Sequence, residues 1–148
     1  HRWSTMNIYR LMVNEGIVYP AVYKRIKCNT DITTKKGLKA LLKKLRGSVQ
    51  KDASFFISVG AEGKTSAVFI ITCGYATNKV FSKELLTASI LSQSSEFIIV
   101  TFFSNKHDYD NEIVKKDFSK VKEAFDLLEL HLIDYYTIVE NVIHCITI

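Results

Sequence analysis

The residues best able to do chemistry stand together at His107-Asp108-Tyr109-Asp110-Asn111-Glu112. Asp108, Asp110 and Glu112 alternate, and carboxylates so spaced can present oxygens to a hard cation such as Mg²⁺ or Ca²⁺. The run lacks the glycine and the register of a calcium loop. A solvated acidic turn before a helix needs the same residues, with Asp110 or Asn111 as cap and acids beside the positive end of the helix dipole. A second group is cationic. Lys36, Lys39, Lys43 and Arg46 recur at helical spacing, a stripe that can meet nucleic acid phosphates or simply solvate a helix. A third is the pair His144-Cys145. Neighbours on a strand point to opposite faces, so these two cannot form a dyad by themselves. His131 has no evident partner, and neither a glycine-rich phosphate loop nor a nucleophile elbow is present.

These groups need elements to hold them. Phe97 to Phe103 is a continuous apolar run rich in aromatic and β-branched residues, which predicts a buried strand. It breaks at Ser104 into a polar loop ending near Asn111. An amphipathic helix follows, with Val114, Phe118, Val121, Phe125 and Leu128 on its buried face. A loop hung from the end of such a strand is where α/β proteins place chemistry.

Upstream, Ile8–Val13 reads as a strand, Glu15-Gly16 as a turn, and Tyr19-Pro20 as the lead into a second strand over about 22–27. Thr33 or Thr34 caps the next helix. Leu38, Leu41, Leu42 and Leu45 form its apolar stripe, and Gly47 is expected to end it in a left-handed conformation. Ser54–Val59 and Ser66–Cys73 read as a hairpin about Ala61–Lys64, apolar enough to be covered on both faces. Gly74 then interrupts and Tyr75–Val80 is loop. Ser82 is expected to cap a helix to about Gln93, with Leu85, Leu86, Ser89 and Ile90 facing the core. Two strands, about 132–139 and 142–147, close the chain across Glu140-Asn141. The order β-β-α-β-β-α-β-α-β-β implies a mixed α/β sheet with three main helices packed on it.

The chain has 148 residues, enough for one domain with a sizeable core, and is 47% apolar, which excludes wholesale disorder. No apolar run reaches the roughly 18–20 residues of a membrane span, so the expected setting is cytoplasmic. The leading residues, about 1–6, read as a vector-derived remnant, and 7–148 as the domain. Cys28, Cys73 and Cys145 show no metal-site spacing and read as small buried thiols rather than a disulfide or a zinc site. Residues 1–64 carry 13 Lys and Arg against 4 Asp and Glu, a balance of +9, whereas residues 65–148 carry 7 against 11, a balance of −4. Such asymmetry suits an anionic partner for the first half or a solvated face.

Four segments carry a resemblance to a known family. They are Val49-Gln-Lys-Asp-Ala-Ser-Phe-Phe-Ile-Ser-Val59, Thr72-Cys-Gly74, Val80-Phe-Ser-Lys-Glu84 and Leu127-Leu-Glu-Leu-His-Leu-Ile-Asp-Tyr135. In this order they resemble the RadC-like branch of the JAB/MPN domain family, over nearly the whole chain from Ile8. The resemblance implies a cytidine-deaminase-like mixed sheet. In the family's hydrolases it further implies zinc held by His-x-His and an aspartate, with a glutamate base on an earlier strand. Zinc there lowers the pKa of its water to about 7 and the carboxylate takes the proton.

Residue by residue the pattern fails. The histidine positions fall on Phe102 and Ser104, the glutamate position on Phe69, and the Pro-Ser-Gly that should follow on Asn105-Lys106-His107. The aspartate is matched by Asp117 after a two-residue shift, placed on the helix flank and turned toward the former site. Phe69 and Phe102 are expected on adjacent strand ends, filling one cleft with aromatic rings. The expectation is a pseudoenzyme that needs no cofactor or metal and binds or scaffolds. The resemblance associates the group with DNA repair and mobile elements. The partner classes left open are another protein, a nucleic acid or a second copy. A nucleic-acid-binding module on the basic helix is the second reading, and a hydrolase rebuilt around His107 and Asp117 the third.

Overall fold

The first hairpin pairs β1 (Thr5–Asn14) with β2 (Ile17–Lys27) in antiparallel fashion. Its turn residues Glu15 and Gly16 both have positive φ, the handedness that matches strand twist. Pro20 lies within β2 rather than before it, opposite Leu11. An edge strand tolerates a residue without an N–H, and β2 is an edge. Thr5 and Met6, set aside with the leading residues, pair with Lys27 and Ile26, and Met6 is buried. The computed structural model describes residues 5–28, 31–48, 53–71 and 82–146, apart from the side chains of Ile71, Ser82 and Asp108.

Helix α1 (Lys35–Ser48) buries Leu38, Leu41, Leu42 and Leu45, as their spacing requires. Thr34 caps it, its hydroxyl accepting from the Gly37 N–H at 3.1 Å. Gly47 does not end the helix. It lies inside the last turn without a positive φ, and the Ser48 hydroxyl donates to the Lys44 carbonyl at 2.8 Å. Gly37 has the stricter role. A Cβ there would stand 1.8 Å from the Asp31 carbonyl oxygen, so the first turn closes on Asp31 only with glycine. Asp31 also accepts from the Thr33 hydroxyl and N–H, which holds its carboxyl below the usual aspartate value.

β3 (Ser54–Val59) and β4 (Thr65–Ile71) are joined by a 3-10 turn at Ala61–Gly63. Then come α2 (Ser82–Ser92), β5 (Glu96–Phe103), a 3-10 turn at Lys106–Asp108, α3 (Asn111–Leu127), β6 (His131–Val139) and β7 (Val142–Cys145). The strands form one seven-stranded mixed sheet in the order β2-β1-β4-β3-β5-β6-β7. β1 with β4 and β5 with β6 are parallel, and the other neighbours antiparallel. The mixed α/β sheet with three helices is therefore the architecture the sequence pattern implied. No described helix is long and apolar enough to cross a membrane.

Two cores flank the sheet. Leucines of α1 pack with Ile8, Phe55, Ile57, Val100 and Phe102 on one face. On the other, α2 and α3 bring Leu85, Val114, Val121 and Phe125 against Phe56, Phe69, Phe97 and Ile99. Both faces of β3 and β5 are thus covered, which explains why those strands are apolar at nearly every position. In α2 the inward pair is Leu85 and Ala88. Leu86 and Ile90, expected inside, are 48% and 67% exposed. Cys73, Gly74, the loop 75–80 and Phe81 lie outside the described residues.

Candidate functional site

β5 and β6 run parallel, so their carboxyl ends open side by side, the usual place for a site in an open α/β sheet. On the α1 side of this opening Phe102 is buried. Its ring meets Phe55 edge to face, with centroids 5.4 Å apart, and the Arg46 guanidinium carbon lies 5.2 Å from its centroid. The α1 helix supplies Arg46 one residue after buried Leu45, so the side chain leaves the flank of the helix and turns inward. A cation over a ring face is attracted by the ring quadrupole, by about 0.5–2 kcal/mol. Arg46 Nη1 is shut off from solvent and has no hydrogen-bond partner among the described residues. Beside it lies a cavity of about 240 Å³ lined by Arg46, Phe102, Ser104, Ile138, Glu140 and Asn141.

The positions that the resemblance assigns to metal chemistry do not converge. β3 stands between β4 and β5, so Phe69 and Phe102 are not on adjacent strands. Phe69 pairs with Phe56 and stacks on Tyr9 in the α2/α3 core, whereas Phe102 packs in the α1 core. One aromatic-filled cleft does not exist, because residues of opposite parity leave a sheet on opposite faces. Asp117 is 3% exposed in the inward stripe of α3 with Val114, Val121 and Phe125, not on its flank, and so belongs to the side away from Phe102. Ser104 is exposed at the rim of the cavity. A zinc centre does not fit here. A phenyl ring has no lone pair to give, and its place is already taken by ring and guanidinium contacts.

The polar loop has a structural order of its own. Asp110 caps α3, its Oδ1 accepting from the N–H groups of Glu112 and Ile113 at 2.9 and 3.4 Å. Asn105 accepts from the His107 N–H at 2.9 Å, while the His107 and Glu112 side chains are exposed. The side chain of Asp108 lies outside the description. Tyr109 pins the loop, lying edge to face with Phe103 and stacked on His144 at 5.6 Å, while its hydroxyl donates to Asn111. Sequence reasoning missed this anchor, although an aromatic in a polar loop beside an apolar strand is a signal for one. No three His, Cys, Asp or Glu among the described residues are grouped to hold a metal ion.

His144 and Cys145 leave β7 on opposite faces, as the strand period required. Cys28 is buried as expected, but Cys145 is exposed on the edge strand β7 and faces a hollow of about 840 Å³ between the first half of α1 and β6–β7, lined among others by Lys35, Leu38, Lys39, Asp134 and Tyr136. The Tyr136 hydroxyl donates to Asp134 Oδ2 at 3.1 Å. Burial first, then the Asp134 charge and this hydrogen bond, push the Tyr136 pKa up to about 12. Burial and then Asp134 also raise that of Cys145. A thiol held protonated is a poor nucleophile, so the cluster does not activate Cys145. His131 is exposed at the start of β6, its N–H donating to the Ser95 carbonyl.

Of the basic stripe, Lys36, Lys39 and Lys43 are exposed, and none forms an ion pair among the described residues, where the pair found is Lys64–Glu62. Arg46 is not exposed with them, because its contact is Phe102. No family model and no curated protein matches the chain.

Proposed function

We propose that the protein is a non-catalytic binding module built on a RadC-like JAB/MPN scaffold. The supporting arrangement is the run α1-β3-β4-α2-β5-α3-β6, which interleaves helices with a mixed sheet as that resemblance implies. The observation that carries the loss of catalysis is Phe102. At the position of a metal-binding imidazole it presents a ring held between Phe55 and Arg46. With Phe69 buried on the opposite face, these two positions supply neither a metal ligand nor the general base that such hydrolysis uses to form hydroxide.

The test is a cleavage assay on the full chain supplied with zinc, using fluorogenic peptide and isopeptide-linked substrates. Turnover indistinguishable from buffer is expected. Chelator-sensitive turnover that Asp117→Asn abolishes would overturn the proposal.

A further inference from the structure

The exposed cations of α1 do not end at the helix. The Lys44 ammonium donates to the Lys27 carbonyl, and the Tyr23 hydroxyl donates to the Ser48 carbonyl at 3.2 Å. These bonds set β2 directly beside the last turns of α1. On β2, Lys24 pairs with Ile8, a residue of the α1 core, so it projects from the same face of the sheet as the helix. Tyr23 is the extra residue of the bulge there. It is 44% exposed and lies 5.2 Å from the Arg10 guanidinium carbon. One surface therefore carries Lys36, Lys43, Lys44 and Lys24, with the Tyr23 ring at its β2 end, while Lys39 turns to the other flank of α1 and lines the hollow beside β6–β7.

Neither α1 nor β2 contains an Asp or a Glu. Of the acids that flank these elements in sequence, Asp31 accepts from Thr33, and Glu15 lies exposed in the hairpin turn before β2. A strip of unneutralised cations with an exposed aromatic ring matches a single nucleic acid strand, whose phosphates pair with lysines while a base stacks on the ring. A duplex would offer the phosphates but no unstacked base for Tyr23, and a run of acidic side chains alone would offer no planar group to the ring.

We infer that α1 and β2 together form a binding face for single-stranded nucleic acid. This names the partner class of the binding module proposed above and rests on that reading. No element is shaped to read base edges, so sequence preference should be weak.

Fluorescence anisotropy with a labelled single-stranded oligonucleotide, the matching duplex and a polyglutamate peptide, each over a salt series, tests the inference. The single strand should bind tightest. With four lysine contacts its log affinity should fall with log salt at a slope of about −3, from roughly −0.7 per contact. Lys36→Ala with Lys43→Ala should bring the slope to about −1.5. Tyr23→Leu should weaken the single strand roughly tenfold at unchanged slope, by loss of stacking. Tyr23→Phe, which removes only the bond to Ser48, should bind nearly as wild type and so separates stacking from folding. No binding at low salt, tighter binding of duplex or polyglutamate, or a slope unmoved by the lysine changes would overturn the inference. Each of these would leave the cleavage assay, and the non-catalytic reading it tests, untouched.

Discussion

Phe102 shows how one side chain can close a chemical possibility. Histidine at that position would offer a lone pair, whereas phenylalanine offers a face to a cation and an edge to a ring, and both are used by Arg46 and Phe55. Such burial makes the residue structural. Phe102→Ala should cost about 3–5 kcal/mol in urea unfolding, since it removes the ring and strands Arg46 over a void. A cost under about 1 kcal/mol would mean that the ring is not packed as described. Arg46 is one of the residues that sequence reasoning placed wrongly. Helical spacing puts it near the exposed lysines, but spacing fixes only where a side chain leaves the backbone. A long guanidinium stem at the flank can still reach an apolar ring.

At the scale of elements, period and capping chemistry were legible. The leucine stripe of α1 and the opposed His144 and Cys145 were readable from residue type and spacing, and each cap was narrowed to two neighbours, of which Thr34 and Asp110 serve. What was not legible depends on tertiary neighbours. Leu86 and Ile90 carry helical spacing, yet the core selects Leu85 and Ala88, because the apolar residues of α2 surround it rather than form one stripe. The two helix glycines make the same point in opposite directions. Gly37→Ala should destabilise by about 1–3 kcal/mol, because the clash with the Asp31 carbonyl exceeds the gain of roughly 1 kcal/mol in helix propensity. Gly47→Ala meets nothing within 4 Å and should stabilise by about 0.5–1 kcal/mol. Urea denaturation of both variants checks the signs, and equal signs would refute the assigned roles.

Across the whole molecule the sheet decides what can meet. It places α1 and its cations on one face and α2 with α3 on the other, so positions close in a motif, such as Phe69 and Phe102, end on opposite sides. Sequence could supply the strands but not their order. The insertion of β3 between β4 and β5 is a topological fact that separates the two rings. The same arrangement sets six Lys and Arg of α1 beside three of β2, whereas α3 carries four Lys against four Asp and Glu. The metal content of the purified protein is the sharpest check on whether the Phe69 and Phe102 positions hold a zinc ion. After growth in zinc-supplemented medium and dialysis against a weak chelator, elemental analysis should find far less than one zinc per chain, because the residues at Phe69 and Phe102 cannot ligate it. Retention of close to one zinc per chain would contradict the account.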